Sequence, residues 1–150
     1  MKRNRRDRHP HRIGFTLLEV IVVLFIIAAI AAFAVREVIV RREAAKIDSA
    51  GIYVRLLEDA VNIYIVDVGS PPTTEQGLAA LVSPPQDLQN PGAWRGPYIK
   101  SNASSRDPWG SDYQYVRPGP RSGGLFDIWS LGPDGVDGTD DDIGTWMPMN

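Results

Sequence analysis

The sequence predicts an α+β fold, in which one long N-terminal helix packs against a small domain that contains a short antiparallel sheet. Three observations support this prediction: an almost uninterrupted apolar run over residues 15–35, helical periodicity without proline over residues 36–68, and two strand-like segments within residues 112–131. A chain of 150 residues has room for one modest domain and an N-terminal segment.

The apolar run is long enough to cross a membrane. Phe15 to Val35 is 21 residues, of which only Thr16 and Glu19 are not apolar. At about 1.5 Å per residue, a helix of this length spans the ~30 Å hydrocarbon core of a bilayer. A carboxylate in such a segment costs roughly 2.5–3.5 kcal/mol, so Glu19 needs a partner or a role. Six Lys and Arg precede the run, which predicts a cytoplasmic N-terminus.

Charge and composition exclude several classes of function. The leader's net +5 within an overall −2 leaves −7 on residues 15–150, so nucleic acid is not an expected partner. The only histidines, His9 and His11, lie in the leader, and the chain has no cysteine. After the leader, therefore, no Ser-His-Asp set or cysteine nucleophile is available, and no disulfide can staple the domain.

The helical pattern continues beyond the apolar run. Apolar residues recur at spacings of three and four, which marks one buried face of an amphipathic helix: Ile47, Ala50, Val54, Leu57, Val61, Tyr64 and Val68. Gly69-Ser-Pro-Pro72 then ends the helix. We predict one helix over residues 15–68, whose second half packs against the domain.

Short segments punctuated by proline and glycine follow. Residues 74–82 predict a short helix with Thr73 or Thr74 as its N-cap, ended by Pro84-Pro85.

Two strands are predicted after a loop-rich stretch. Residues 112–116 alternate between polar and larger side chains, and residues 125–131 supply the partner strand, with residues 118–124 as the turn. Residues 132–150 predict a loop with little regular structure.

An acidic loop is the second functional candidate. Residues 131–144 contain five aspartates and four glycines. Calcium takes six to eight oxygen ligands at ~2.3–2.6 Å from carboxylates and carbonyls, and glycines let both kinds converge. The spacing is not that of an EF-hand, and without His or Cys in the loop zinc is not expected. Taken alone, the pattern leaves a calcium site and a solvated acidic loop both open.

Six motifs occur in one order along the chain. They are Gly14-Phe-Thr-Leu-Leu-Glu19, Thr73-Thr-Glu-Gln-Gly-Leu78, Trp94-Arg-Gly-Pro-Tyr-Ile99, Asp107-Pro-Trp-Gly110 with Tyr113-Gln-Tyr115, Asp127-Ile-Trp-Ser-Leu-Gly132 and Asp142-Ile-Gly-Thr-Trp146. Together they resemble the major pseudopilin family of type II secretion systems, within the type IV pilin-like superfamily. The resemblance extends from Ile13 to Trp146.

The resemblance implies a pilin-like fold and a processing site. Prepilin peptidase would remove residues 1–14 by cleavage between Gly14 and Phe15, and Phe15 would be N-methylated. Residues 15–35 would be the transmembrane and filament-core helix, with Glu19 acting in assembly. Residues 36–150 would form the periplasmic pseudopilin domain. The alternatives are a plain signal anchor and cleavage beyond the apolar run.

The resemblance also implies a calcium ion that stands in for the missing disulfide. Its ligands would be Asp134, two of Asp140, Asp141 and Asp142, and backbone carbonyls such as that of Leu131.

The expected function is structural. The resemblance implies a single-pass protein of the bacterial inner membrane that assembles into a periplasmic filament, the pseudopilus, which drives folded proteins across the outer membrane. Expected partners are further copies of the chain, minor pseudopilins, the inner-membrane assembly platform and prepilin peptidase. The alternatives are a type IV pilus major pilin and a membrane-anchored, calcium-dependent periplasmic enzyme. No catalytic residue is expected.

Overall fold

The computed structural model describes residues 14, 16–100 and 106–147, with the helical backbone but not the side chains of residues 33–39. The basic leader, residues 1–13, and the predicted mature N-terminus at Phe15 lie outside the described residues. The chain divides into two compact units, with the boundary between residues 41 and 42.

The first element, α1, is an α-helix over Leu17–Val68. It begins where the Oγ1 of Thr16 accepts a hydrogen bond from the backbone N–H of Glu19 at 3.2 Å, as an N-cap residue does. Gly69 ends it with a φ of 93°, a left-handed conformation that favours glycine. The predicted long helix is confirmed from residue 17 onward.

In the first unit, α1 carries an exposed apolar surface. Leu17 is 78% exposed and Phe25 is 75% exposed, and large apolar side chains continue in the same state to Ile30. No helix within the described residues is long and apolar enough to cross a membrane.

In the second unit, α1 supplies one wall of the core. Ala50, Val54, Leu57, Val61 and Tyr64 are all at most 2% exposed. They recur at the predicted spacing, so the amphipathic face is confirmed as core. The opposite wall comes from the rest of the domain, with contributions from Leu81, Tyr113, Phe126 and Ile128.

One member of the predicted face is not in the core. Ile47 is 43% exposed. It lines an open groove with Gly51, Ile143 and Met147. The apolar period therefore extends one turn further than the packing that covers it.

The predicted short helix is a 3₁₀ helix over Gly77–Leu81. Before it, Thr73 and Gln76 bond reciprocally: the backbone N–H of Gln76 donates to Thr73 Oγ1 at 3.2 Å, and the backbone N–H of Thr73 donates to Gln76 Oε1 at 2.9 Å. This reciprocal pairing has the form of a capping box and closes the turn that leads into the helix. The N-cap of the 3₁₀ helix itself is Gln76, which makes no side-chain cap bond, so the predicted N-cap at Thr73 or Thr74 is wrong. Ala80 and Leu81 are buried, which docks the segment on the core.

The sheet has three antiparallel strands in the order β1, β2, β3. They are Gln114–Val116 (β1), Asp127–Ser130 (β2) and Ile143–Gly144 (β3). Tyr115 pairs with Ile128 across β1 and β2. The two predicted strands are confirmed in shorter form.

The third strand was not predicted. Ser130 pairs with Ile143, and Trp129 pairs with Gly144. Two residues are too few to show an alternation, and a glycine gives no apolar signal. The prediction of little regular structure after residue 131 was therefore wrong at this strand, which returns the chain to β2 after the acidic loop.

The packing of α1 predicts a large difference between neighbouring leucines. Leu57 is 2% exposed and Leu56 is 46% exposed. We expect Leu57→Ala to lower the free energy of unfolding by about 2–5 kcal/mol, because it leaves a cavity in the core. Leu56→Ala should cost about 1 kcal/mol or less. Urea unfolding of the detergent-solubilised chain measures both, and equal losses would contradict the assigned helix face.

Candidate functional site

The processing region is described only in part. Gly14 and Thr16 are exposed, and Glu19 is exposed in the first turn of α1. The positive end of the helix dipole stabilises a negative charge in this position. Phe15, the predicted site of cleavage and N-methylation, lies outside the described part of the chain, and the predicted role of Glu19 in assembly stays a prediction.

The acidic loop begins directly after β2 and folds back on itself. Gly132 has a φ of 66°, and a Cβ at this position would collide with the backbone carbonyl oxygen of Asp141. Only glycine allows the two ends of the loop to approach so closely. The turn therefore brings the Leu131 end of the loop next to Asp141.

Asp134 and Asp141 meet inside this turn. The backbone N–H of Asp134 donates to Asp141 Oδ2 at 3.1 Å. Asp134 Oδ1 accepts the backbone N–H of Val136 at 2.8 Å, and Asp141 Oδ1 accepts the hydroxyl of Thr139 at 2.5 Å. The hydrogen bond from Thr139 lowers the pKa of Asp141, which favours the charged carboxylate.

Asp142 is the buried acid of the loop, at 3% exposure. Its Oδ2 accepts the backbone N–H of Gly138 at 2.8 Å and lies 2.7 Å from Nη1 of Arg121. Its Oδ1 is buried and has no hydrogen-bond partner within the described residues. A buried carboxylate oxygen left in this state is costly, and a cation would satisfy it.

The remaining predicted ligands are less constrained. Asp140 is exposed and Leu131 is half-buried. Across residues 14, 16–100 and 106–147, no three acidic or histidine side chains converge as a metal centre requires. The donors near the turn are carboxylate and carbonyl oxygens, the kind that calcium prefers. The loop therefore fits calcium in its chemistry, and the ligand set stays a prediction.

Arg121 is the residue that sequence reasoning missed. Its Nη2 lies 2.7 Å from Oδ1 of Asp137, and its Nη1 holds Asp142. Burial opposes the charge, but hydrogen bonds with Asp142 and Asp137 outweigh burial and raise the pKa of Arg121. The signal was its position: Arg121 is the last basic residue before an acidic loop. The segment around it looked like a turn and nothing more.

Two further buried acids fix the turns that precede β1 and β2. Asp107 accepts the backbone N–H groups of Trp109 and Ser111 at its Oδ1, and the hydroxyl of Ser130 at its Oδ2 at 2.6 Å. Asp127 accepts the backbone N–H of Arg121 at 2.7 Å. Both are at most 6% exposed, so they hold structure and are not presented to a ligand.

Comparison with known proteins agrees with the motifs. Residues 37–146 match the family described as Type II secretion system (T2SS), protein G, and residues 10–35 match the prokaryotic N-terminal methylation motif. Type II secretion system core protein G of Aeromonas hydrophila is 45% identical over 134 residues, which cover 89% of this chain and 91% of that protein. The corresponding protein of Pseudomonas aeruginosa is 40% identical over 137 residues, which cover 89% and 94%.

A solved structure shows the same fold. The crystal structure of the major pseudopilin from the type 2 secretion system of enterohaemorrhagic Escherichia coli is 40% identical, with a TM-score of 0.61 over 72% of this chain and 92% of that chain. The pilin-like fold class and the resemblance drawn from the six motifs are both confirmed. The chain belongs to the protein G family of type II secretion systems, the family of the major pseudopilins.

Proposed function

We propose that this chain is the repeating subunit of a periplasmic pseudopilus that drives folded proteins across the outer membrane. One observation carries the proposal: a single helix, α1, joins an exposed apolar half to a half that is packed into a pseudopilin domain. The protein G match over residues 37–146 favours this function over that of a type IV pilus major pilin. The family is one of structural subunits.

The exposed half of α1 determines how the subunit is stored and assembled. Its apolar side chains gain roughly 25 cal/mol for each Å² removed from water. Lipid can cover them before assembly, and the equivalent helices of other copies can cover them in the filament core. We therefore infer a single-pass anchor over residues 15–35 in the inner membrane, with the domain in the periplasm.

The partners follow from the same cycle. Prepilin peptidase would cut after Gly14, the inner-membrane assembly platform would move the subunit from lipid into the filament, and minor pseudopilins would share that filament. The N-terminal methylation motif over residues 10–35 supports the first step.

We also propose that residues 131–142 bind one calcium ion. The buried, unpartnered Oδ1 of Asp142 supports this. The hydrogen bond from the backbone N–H of Asp134 to Oδ2 of Asp141 holds the two ends of the loop near each other. The ion would supply positive charge that relieves repulsion among the carboxylates. The candidate ligands remain Asp134, two of Asp140, Asp141 and Asp142, and the Leu131 carbonyl.

Processing gives the first test of this function. Intact mass of the membrane-extracted protein should show the loss of residues 1–14 and the gain of one methyl group on Phe15. Gly14→Leu should accumulate as the full-length precursor, because a side chain at this position blocks the cut. A mature wild-type chain that begins at Met1, or beyond Ala34, would contradict the proposed site.

Glu19 gives the second test. After cleavage the amine of Phe15 is cationic, and in a low-dielectric assembly the acid of a neighbouring subunit is its natural partner. We expect Glu19→Ala to be inserted and cleaved normally but to abolish or cripple filament assembly, seen by electron microscopy of sheared filaments. Asp48→Ala, an exposed acid further along α1, is the matched control. Wild-type filament yield from Glu19→Ala would show that this acid is merely tolerated.

Calcium gives the third test. A ligand that binds only the folded state adds about 2.7 kcal/mol of stability when present at 100 times its Kd. The melting temperature of the wild-type chain should therefore rise by several degrees in calcium relative to chelator. Asp134→Ala should lose most of this rise, and Asp59→Ala, an exposed acid on α1, should keep it. Identical wild-type melting curves in calcium and chelator would leave a solvated acidic loop as the correct interpretation.

A further inference from the structure

Arg121 contacts three other segments of the domain. Its guanidinium bonds to Asp137 and Asp142 in the acidic loop, at 2.7 Å each. The same group lies over the ring of Trp129 in β2, at 5.0 Å from the centroid, and over the ring of Trp146 after β3, at 4.6 Å. One cation therefore contacts both acids and both aromatic rings that flank the loop.

The two rings and the acids also contact one another. Trp129 Nε1 donates to Oδ1 of Asp137 at 2.9 Å, the same oxygen that Arg121 binds. The rings of Trp129 and Trp146 lie 6.0 Å apart at 53°. With the rings close on the guanidinium, the Arg121 side chain is only 29% exposed and that of Asp142 is 2% exposed. Exposed ion pairs contribute little to stability, but a pair shielded from water in this way costs much more to break.

The position of Arg121 is set from behind by a buried acid. Asp127 is 0% exposed, and its carboxylate accepts the backbone N–H groups of Arg121 at 2.7 Å and Ser122 at 3.2 Å. These bonds fix the backbone at Arg121 to β2, so the Arg121 side chain extends toward the acidic loop from a fixed position. A pre-positioned guanidinium loses less freedom when it binds two carboxylates than a mobile one would.

The distribution of charge around the loop indicates a role for Arg121. Five aspartates lie in residues 131–144, and no basic residue follows Arg121. We propose that Arg121 is the resident cation of the acidic loop, which keeps residues 131–147 closed on the sheet when calcium is absent. It acts as a positioning residue, since it holds Asp142 through Oδ2 and leaves Oδ1 available.

The inference rests on the proposed calcium site for one consequence, which is coupling between the two cations. If Arg121 and calcium both close the loop, either can compensate for loss of the other. Removing Arg121 should therefore make the loop depend on calcium. A residue with a merely structural role would lower stability by the same amount with and without calcium.

The test uses hydrogen exchange of the full-length chain in detergent, in calcium and in chelator. The readout is protection of the peptide that spans residues 131–147, relative to residues 73–82 in the same molecule. In the wild type, protection should survive chelation. In Arg121→Gln it should be close to wild type in calcium and lost in chelator, and the fall in melting temperature on chelation should be at least about twice that of wild type. Arg95→Gln, which removes the same charge from an exposed site, should behave as wild type.

Two further variants keep the test informative if Arg121→Gln folds poorly. Asp137→Asn removes one of the two ion pairs of Arg121, at a largely exposed side chain. It should give an intermediate loss of protection in chelator. Arg121→Lys keeps the charge but not the two-armed geometry and should restore protection only in part.

The outcomes separate the two proposals. If Arg121→Gln retains full protection in chelator, or the wild type loses it there, the resident-cation inference is overturned. If calcium changes nothing in any chain while Arg121→Gln loses protection in both buffers, the calcium proposal fails and the resident-cation inference stands.

Discussion

Buried carboxylates hold the C-terminal half of this domain together. Asp107, Asp127 and Asp142 are at most 6% exposed. A buried charge is tolerated only when hydrogen bonds or a cation satisfy it, so each acid imposes strict geometry on the loop that serves it. Each carboxylate accepts hydrogen bonds from backbone N–H groups. Asp107 binds the turn that follows it, Asp127 binds the turn at Arg121, and Asp142 binds the acidic loop. The chain has no cysteine, so these acids hold together loops that a disulfide could otherwise link.

The acids also join the loops to the core. Asp107 reaches β2 through the hydroxyl of Ser130, whose Oγ in turn accepts the backbone N–H of Gly132 at 3.2 Å. The position of Gly132, near the start of the acidic loop, is therefore fixed through Ser130 by Asp107. Trp109, in that turn, donates through Nε1 to Glu43 on α1 at 2.5 Å. A continuous path of polar contacts thus runs from α1 to the loop that is proposed to bind calcium.

Sequence reasoning identified the elements whose signals are local. The helix predicted over residues 15–68 has a continuous apolar run in its first part and repeats its apolar period from Ile47 to Val68, and the two predicted strands flank a turn of proline and glycine. The sequence did not predict β3, because two residues are too few to show an alternation. It also did not predict the ion pairs of Arg121 with Asp137 and Asp142. Arg121 and Asp142 are 21 residues apart, and their contact depends on how the sheet pairs, which no local pattern records.

The calcium ligands show the same limit from the other side. The sequence placed five acids in one loop but could not say how they divide. The structure assigns Asp137 and one oxygen of Asp142 to Arg121, and it turns Asp141 toward Asp134. Two of the five acids of the loop therefore bind a cation that the chain itself supplies. Because the arginine is covalently attached, its effective concentration does not vary with the surroundings. If the loop binds calcium as proposed, a loop that depended on the ion alone would open whenever calcium fell below its Kd. In our proposal the attached guanidinium would remove that dependence for Asp137 and Asp142, two of the five acids of the loop.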